Sequence, residues 1–183
     1  MRKIPTLFRR DSDDMRHVLP EVTSGCEWVL AGEGYATRKY DGTCVMFDGT
    51  RWWARREVKW NKDLPIGFIE VHDETTEKIV GWEPAAQSPF AKFIVEAAGD
   101  FQEWSAGTYE LCGPKVNGNP ERFLKHILVS HDDAECIKPF SLTWEGIWDT
   151  VVFLHNEYGY EGLVWHHPES RSKMAKIKAR DFR

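Results

Sequence analysis

The clearest signals of fold in this chain lie in residues 35–56, which read YATRKYDGTCVMFDGTRWWARR. β-forming residues are frequent at residues 35–40, 45–47 and 51–56. The last two runs flank Asp48-Gly49-Thr50, and an Asp-Gly pair between two apolar runs is a strong hairpin signal. The stretch therefore predicts three consecutive strands, of which the second and third form an antiparallel hairpin.

β-forming residues also cluster in several other segments. Strands are predicted at residues 26–30, 108–112, 163–166 and 175–179. Residues 61–87 mix Pro, Gly, Asp and Thr, a composition that predicts a long excursion over the surface.

Helices are predicted at three places from capping residues or apolar spacing. One runs from Ser88, which can cap it ahead of Pro89, to Gly99. Asn119-Pro120 predicts a short helix to residue 127, and residues 142–154 carry apolar side chains at helical spacing. Because strands and helices are interspersed without βαβ regularity, the sequence predicts an α+β fold with mainly antiparallel sheets flanked by helices.

The composition is that of a single globular domain over residues 1–183, with 42% hydrophobic residues. No apolar run approaches a membrane span, and the basic N-terminus lacks the apolar segment of a secretory signal, so no membrane association is expected. Four cysteines without a CxxC pair predict free thiols in a reducing cytoplasm. The net charge of -5 disfavours a general nucleic-acid coat protein. Basic residues nevertheless concentrate at residues 51–62 and 171–183, which suits phosphate chemistry in a compact pocket.

A lysine and a carboxylate stand two residues apart in Lys39-Tyr40-Asp41-Gly42-Thr43. A lysine amine attacks phosphorus only when it is neutral, and lysine ordinarily titrates near ~10.4, so a nucleophilic lysine needs burial or nearby positive charge. Asp41 would project from the same strand face and would orient the amine or hold a metal-bound water. Gly42 would let the backbone approach a ligand closely. The motif is short and needs matching residues elsewhere in the chain.

Three further segments follow in order. Residues 109–119 read YELCGPKVNGN and carry Glu110 into a Gly/Asn-rich turn. Glu161 stands at the entrance of the predicted strand at 163–166, and Lys176 and Lys178 share one face of the last strand. Nucleotidyl transfer to an amine requires such a set: a nucleophile, carboxylates for Mg²⁺ and cations on fixed elements for the phosphates.

With this order and spacing, the chain resembles the covalent nucleotidyltransferase superfamily of ATP-dependent ligases and capping enzymes. More narrowly, it resembles the small RNA ligase family that includes the vertebrate 5′-to-3′ RNA ligase. The resemblance extends from residue 36 to residue 182 and is carried by ATRKYDGTC, WARREVK, YELCGPKVNGNPE, HILVSH, EGLVW and KIKARDF. It implies a nucleotidyltransferase (adenylation) domain with a central ATP cleft.

The resemblance also implies a role for each matched residue. Lys39 would form a covalent lysyl-AMP, and Asp41 and Glu161 would hold Mg²⁺ or Mn²⁺ through water. ATP would be bound by backbone groups near Thr37 and Arg38 at the adenine edge, Glu110 at the ribose hydroxyls, Arg55 with its neighbour Arg56 at the ribose or phosphate, and Lys176 and Lys178 at the α-phosphate and pyrophosphate. Because adjacent strand residues face opposite ways, Arg55 and Arg56 are not both expected to reach one ligand.

Two segments that contain histidine do not fit these roles directly. The family places an aromatic side chain that stacks on adenine in the stretch matching residues 126–131, and here that stretch contains no Phe, Tyr or Trp. His166-His167 resembles half a metal site, but no Cys or carboxylate has suitable spacing, so a surface role is expected for this pair.

The implied reaction is ATP-dependent joining of RNA 5′-phosphate and 3′-hydroxyl ends, as in RNA repair, through lysyl-AMP and an RNA-adenylate. No stable protein partner is implied. Two alternatives stay open: a minimal ATP-dependent DNA ligase, and a non-catalytic nucleotide- or RNA-binding module on the same core. Five residues follow Lys178, so no C-terminal OB domain is expected. RNA ends would then be recognised by the core surface, at Arg2, Lys3, Arg9, Arg10 or the basic tail.

Overall fold

The computed structural model describes residues 3–71, 78–99 and 103–182. The chain divides into two compact units. The middle unit is Asp41–Asp133 together with Lys3, and the terminal unit combines Ile4–Tyr40 with Ala134–Arg183. No helix among the described residues is long and apolar enough to span a membrane.

Strands outnumber helices in the described residues. In chain order the elements are β1 (Phe8–Arg10), β2 (Val18–Val22), α1 (Glu27–Leu30), β3 (Tyr35–Lys39), β4 (Thr43–Phe47), β5 (Trp52–Lys59), β6 (Ile69–Glu70), β7 (Lys78–Pro84), α2 (Ala91–Ala98), β8 (Gly107–Cys112), β9 (Ile127–Ser130), β10 (Cys136–Ile137), α3 (Trp144–Tyr158), β11 (Gly162–His167) and β12 (Ser170–Lys178). Short 3₁₀ turns occur at Ala85–Gln87 and Ala179–Asp181.

The terminal unit is built on a four-stranded antiparallel sheet in the order β10-β3-β11-β12, beside the small hairpin of β1 and β2. Its core includes the buried side chains Ala36, Leu163, Trp165, Ala175 and Ile177, together with Ile147 and Val151 of α3. Each fully buried Leu, Ile or Val contributes ~1.5–3 kcal/mol. Because side chains alternate along a strand, residues next to these core positions lie on the opposite face of the sheet.

The middle unit is built on a six-stranded antiparallel sheet in the order β6-β7-β5-β4-β8-β9. Its core cluster contains Val45, Ala54, Tyr109 and Leu111 from the sheet and Ile94 from α2. The predicted α+β fold with mainly antiparallel sheets is therefore confirmed.

Several predicted elements are confirmed. The strand predicted at 35–40 is β3 (Tyr35–Lys39), the Asp48-Gly49 hairpin joins β4 and β5, and the strand predicted at 108–112 is β8 (Gly107–Cys112). The two late strands are β11 and β12, and the apolar spacing at 142–154 falls within α3. The helix predicted from Ser88 begins at Ala91 and is closed by Gly99, which has a φ of 65°. All four cysteines are free, as predicted.

The strand predicted at residues 26–30 is wrong, because the segment forms the one-turn helix α1. Gly25 has a left-handed φ of 87°, and its amide donates to the carboxylate of Glu27 at 2.8 Å. The turn starts a helix that buries Trp28 and Val29 together. The β propensity of these residues is overridden by tertiary burial.

Part of the surface excursion predicted at residues 61–87 is also wrong. Lys78–Pro84 is the interior strand β7, which pairs with β5 along its whole length and buries Val80 and Trp82. Ile69–Glu70 adds the edge strand β6. Residues 72–77 lie outside the described residues. Composition misled here because Pro84 ends the strand and Gly81 allows close approach of Phe68, whereas both residue types usually indicate loops.

The short helix predicted from Asn119-Pro120 to residue 127 does not form. Asn117, Asn119 and Arg122 all have left-handed φ angles, of 48°, 57° and 56°, which a right-handed helix excludes. Asn119 instead closes a turn, accepting from the Phe123 amide and donating to the Phe123 carbonyl, both at 3.0 Å. The residues Asn119-Pro120 therefore indicate a turn here and not the start of a helix.

Candidate active site

The predicted site residues of the terminal unit are positioned by the pairing of β3, β11 and β12. Lys39 and Lys178 both lie opposite Gly162, on either side of β11. Thr37 and Lys176 both lie opposite Val164, one row further along. Residues paired across antiparallel strands share a face, so Thr37, Lys39, Lys176 and Lys178 lie on the face of the sheet opposite the core.

Glu161 immediately precedes β11 and bonds to two of these lysines. Lys39 Nζ lies 2.5 Å from Glu161 Oε2, and Lys178 Nζ donates to Glu161 Oε1. The side chains of Glu161, Lys39 and Lys178 are 9%, 18% and 16% exposed. One carboxylate is thus shared by two ammonium groups in a largely desolvated position, and the three groups together carry one net positive charge.

Two opposing effects act on the carboxyl of Glu161. Burial raises its pKa, but the charge of Lys39 and the hydrogen bonds from Lys178 and Lys39 act against burial and lower the pKa below its ordinary value. Glu161 is therefore ionised at neutral pH and able to hold both ammonium groups.

Gly162 keeps the centre of this arrangement free of side chain. A Cβ at this position would overlap the carbonyl oxygen of Ile177 and lie 2.7 Å from the Cα of Lys178. β12 therefore packs against β11 more closely than any other residue allows. This contact explains why a glycine follows Glu161 in the sequence.

Thr37 is buried at the centre of the same face. Its hydroxyl lies 2.9 Å from His166 Nε2, and His166 stacks on Tyr35 with ring centroids 5.3 Å apart. His166 thus bonds within the sheet, and the neighbouring His167 lies 3.4 Å from the carboxylate of Glu33. No group of three or more His, Cys, Asp or Glu side chains that could hold a metal ion occurs among the described residues.

The backbone around Arg38 and Lys176 is already engaged. The Arg38 amide donates to the Glu135 carbonyl at 2.8 Å, next to β10. The Lys176 amide donates to Pro5, and its carbonyl accepts from Leu7 at 2.7 Å. Adenine recognition by the Arg38 amide would therefore require exchange of its partner, whereas the side chains of Lys176 and Lys178 are held by a strand bonded on both edges.

In the middle unit, Asp41 and Gly42 are fixed by three side chains. The Asp41 amide donates to Glu121 Oε1 at 2.9 Å, and the Gly42 amide donates to Glu110 Oε1 at 3.1 Å. Asn117 donates to Asp41 Oδ1 at 3.2 Å and to the Gly42 carbonyl at 2.7 Å. The Gly/Asn-rich turn after β8 thus orients the carboxylate of Asp41.

Gly42 is required by the protein itself. A Cβ here would overlap the carbonyl oxygen of Leu111 and lie 2.8 Å from Cys112 Sγ. The expected reason for this glycine was close approach to a ligand. The structure supplies another, which is close approach to β8.

Glu110 has a partner at each oxygen. In addition to the Gly42 amide at Oε1, its Oε2 lies 3.1 Å from His131 Nε2, and His131 Nδ1 lies 2.9 Å from Thr108 Oγ1. Thr108 therefore orients His131, and His131 orients Glu110.

Arg55 and Arg56 lie on opposite faces of the six-stranded sheet, as alternation predicts. Arg55 is paired with Trp82 and is two residues from Trp53, which lies opposite Met46. Cys44, two residues from Met46, lies opposite Glu110. Arg55 thus shares a face with Glu110, and Arg56 shares the other face with Ala54 and the core. Arg55 bonds Glu57 at 3.0 Å, and Arg56 lies 3.8 Å from the buried Glu83.

Sequence reasoning missed the residues that orient the predicted ones. They are Asn117, Glu121 and His131 in the middle unit, and Glu135 and Tyr160 in the terminal unit. Glu121 and His131 stand inside the quoted segments YELCGPKVNGNPE and HILVSH, and Asn117 is part of the same turn. Their position inside these segments was the only sequence signal. Which side chain each of them contacts is known only from the distances in the structure.

No family model matches the chain, and no curated protein sequence matches it. Function is therefore inferred from the residues and their geometry.

Proposed function

We propose that this chain is an ATP-dependent RNA ligase in which a nucleotidyltransferase core takes up AMP on Lys39. The observation that carries the proposal is the sharing of the Glu161 carboxylate by Lys39 and Lys178, on a sheet face that also bears Lys176. Lys176 and Lys178 support the proposal because the triphosphate that Lys39 would attack must be held by cations on fixed elements.

The first step joins the Lys39 amine to the α-phosphorus of ATP. The neutral nitrogen attacks, the bond from the α-phosphorus to the bridging oxygen breaks, and pyrophosphate leaves with that electron pair. The nitrogen becomes positively charged as its bond to phosphorus forms. It then loses one proton, and the product is a lysyl-AMP phosphoramidate. Lys176 and Lys178 would balance the charge on the α-phosphate and the departing pyrophosphate.

The ion pair with Glu161 affects both the position and the protonation of Lys39. An ionised carboxylate beside an amine favours the ammonium form, which is not nucleophilic. Lys39 therefore has to leave Glu161 and lose a proton before it attacks. Lys178 remains on the same carboxylate as a second cation, so Glu161 keeps a partner when Lys39 moves to the phosphate.

A divalent cation, Mg²⁺ or Mn²⁺, is part of the proposal. Mg²⁺ keeps several waters and is usually bound by one or two carboxylates and the substrate phosphates. The resemblance implies Asp41 and Glu161 as carboxylates that would hold it, each through water. The chemistry such an ion supplies is neutralisation of the triphosphate charge.

Two further steps complete RNA joining. An oxygen of the RNA 5′-phosphate attacks the AMP phosphorus, the phosphorus–nitrogen bond breaks, and Lys39 leaves and takes up a proton. The RNA 3′-hydroxyl then attacks the 5′-phosphorus, loses its proton, and displaces AMP. Every step exchanges one phosphorus bond for another, so positioning and charge neutralisation dominate the rate.

Labelling by ATP tests the proposal. Protein is incubated with α-labelled ATP and Mg²⁺ or Mn²⁺, and covalent label and intact mass are measured. The wild type and Lys92→Ala, which changes an exposed lysine of α2, should gain one adenylate, and Lys39→Ala should gain none. A wild type without label, or equal label on Lys39→Ala, would contradict the proposal.

Nicked substrates then separate the possible activities. Matched nicked RNA and DNA duplexes are offered to the adenylylated protein. Preferential sealing of RNA supports the proposal, whereas preferential sealing of DNA identifies a minimal DNA ligase. Binding of ATP or RNA with unchanged protein mass identifies a non-catalytic module.

A further inference from the structure

The guanidinium of Arg38 lies against two tyrosine rings that flank the reacting residues in sequence. Its Cζ is 4.3 Å from the ring centre of Tyr40 and 3.8 Å from that of Tyr160. Tyr40 directly follows Lys39, and Tyr160 directly precedes Glu161. Arg38 thus connects the two backbone segments from which the Lys39–Glu161 ion pair is made.

Glu135 completes the cluster. The Tyr160 hydroxyl donates to Glu135 Oε2 at 2.8 Å, and Arg38 Nη1 lies 4.0 Å from the same oxygen. The Glu135 carbonyl accepts from the Arg38 amide. Burial, followed by the hydrogen bond to Glu135, raises the pKa of Tyr160, so its hydroxyl stays protonated and keeps donating. The cluster is therefore stabilised by hydrogen bonds and by the Arg38–Glu135 charge pair, in addition to the contacts of Arg38 with the two rings.

The cluster lies on the opposite face of β3 from the Lys39 amine. Arg38 is paired with Leu163 of the core, whereas Lys39 is paired with Gly162. The Arg38 side chain therefore contacts the end of β3 on the face opposite the Lys39 amine. Tyr160 is also tied to the end of α3, because its amide donates to Leu154 and its carbonyl lies 2.9 Å from His155 Nδ1.

We propose that Arg38 is a positioning residue, which acts through Tyr40 and Tyr160 to fix the backbone at Lys39 relative to the backbone at Glu161. The inference rests on the proposed function of Lys39. A cation between aromatic faces is a directional contact, and arginine makes it better than lysine because its guanidinium is planar. Misplacement of a reacting group by about 1 Å costs on the order of 10²-fold in rate.

Three variants separate the parts of the cluster. Arg38→Met keeps an unbranched stem and removes the cation, Arg38→Lys keeps the charge and loses the planar stack, and Tyr160→Phe keeps the ring and loses the bond to Glu135. Arg16→Met, which changes a highly exposed arginine of the terminal unit, is the matched control. Thermal unfolding of each variant identifies those that fold, and Arg38→Lys and Tyr160→Phe carry the test if Arg38→Met does not.

The first readout is the single-turnover rate of Lys39 adenylylation as a function of ATP concentration. Arg38→Met should lower the maximal rate by roughly 10²-fold with little change in the half-saturating ATP concentration, because it misplaces the amine and leaves the phosphate-binding lysines in place. Arg38→Lys should recover part of the rate, Tyr160→Phe should lower it less than Arg38→Met, and Arg16→Met should match the wild type. A wild-type rate in Arg38→Met, or a loss confined to ATP affinity, would overturn the inference.

The second readout needs no catalysis. The Lys39 amine of ATP-free protein is modified with a small amine-reactive ester, and its rate is followed by peptide mass spectrometry against Lys92 in the same chain. Arg38→Met should change the Lys39 rate several-fold and leave Lys92 unchanged, and an unchanged ratio would refute the positioning role. If the wild type takes no adenylate, the proposed function fails, and this ratio still decides whether Arg38 positions Lys39.

Discussion

Lys39 Nζ lies 2.5 Å from Glu161 Oε2, although the two residues are 122 positions apart in the chain. The pairing of β3 with β11 produces this contact, because it places Lys39 opposite Gly162, next to Glu161. Lys178 approaches the other oxygen from β12. The ion pair is therefore a product of strand register, and the stability of the sheet and the chemistry of the site are coupled.

Glu161→Gln should reduce the free energy of unfolding at neutral pH by roughly 3 kcal/mol, because it leaves two largely buried ammonium groups without their carboxylate. The difference from wild type should shrink as the pH falls. The folded-state pKa of Glu161 is lowered, so the unfolded chain takes up a proton first, and the stabilisation is present above the ordinary carboxyl range and lost below it.

Urea unfolding of both proteins at intervals from about pH 7 to about pH 3 measures this difference. The comparison isolates Glu161 from other carboxyls with lowered pKa, such as Asp48 and Glu57, since both proteins contain them. A constant difference across the series would show that Glu161 does not stabilise the fold through its charge.

Gly42→Ala should destabilise the protein by ~1–3 kcal/mol even without ATP, because the added methyl overlaps the Leu111 carbonyl of β8. Gly107→Ala, on the same strand β8, is the control: its Cβ would meet no heavy atom closer than 4.0 Å. Thermal unfolding of the two variants makes the comparison. Equal stability of both would mean that Gly42 serves a ligand and not the fold.

Arg55→Met should raise the half-saturating ATP concentration for Lys39 labelling by roughly tenfold or more, the expected loss of a hydrogen bond to a charged ligand. Arg56→Met should raise it less, because Arg55 shares a face with Glu110 and Arg56 does not. Rates are expressed per folded protein, since Arg56 neighbours the buried Glu83. A larger effect from Arg56 would place the ligand on the other face of the sheet.

Arg10→Met should destabilise the protein by about 3 kcal/mol, because its guanidinium lies 2.8 Å from Asp181, whose side chain is only 5% exposed. Arg9→Met should change stability by less than ~1 kcal/mol, because Arg9 and its partner Glu21 are both exposed. Chemical unfolding tests both values.

These two arginines also bear on RNA-end recognition, for which both were predicted. Arg10 is engaged by Asp181 and by the Arg16 carbonyl, and a loss of sealing in its variant would therefore follow from folding. Arg9 is the informative position. Unchanged sealing of nicked RNA by a folded Arg9→Glu variant would remove Arg9 from the RNA-binding surface. Arg2 lies outside the described residues.

Local signals in the sequence predicted elements that need only neighbouring residues. Asp48 accepts from the Thr50 and Arg51 amides at 2.8 and 2.9 Å, which stabilises the hairpin turn. Thr143 caps α3 by accepting from the Gly146 amide at 3.1 Å. β7 and α1 were missed because their form depends on burial against distant segments, which no window of sequence contains.

The partners of the candidate site residues could not be predicted from the sequence for the same reason. Motif order identified Lys39, Asp41, Glu110 and Glu161, but the side chains that orient them are tens of residues away in the chain. Asn117 reaches Asp41 across 76 positions, and Glu121 reaches the Asp41 amide across 80. Such partners have no fixed spacing, because the loops between strands vary in length without altering the contact.

The sequence by itself determined the residue types that could carry nucleotidyl transfer, and the strands and helices whose signals are local. Only the tertiary structure decided that Lys39 and Lys178 share Glu161, that Arg38 contacts the strand that carries Lys39, and that Arg55 and not Arg56 shares a face with Glu110. The physical reason is register: a shift of one residue in an antiparallel pair moves every side chain to the other face, and that register is set by packing across the whole sheet.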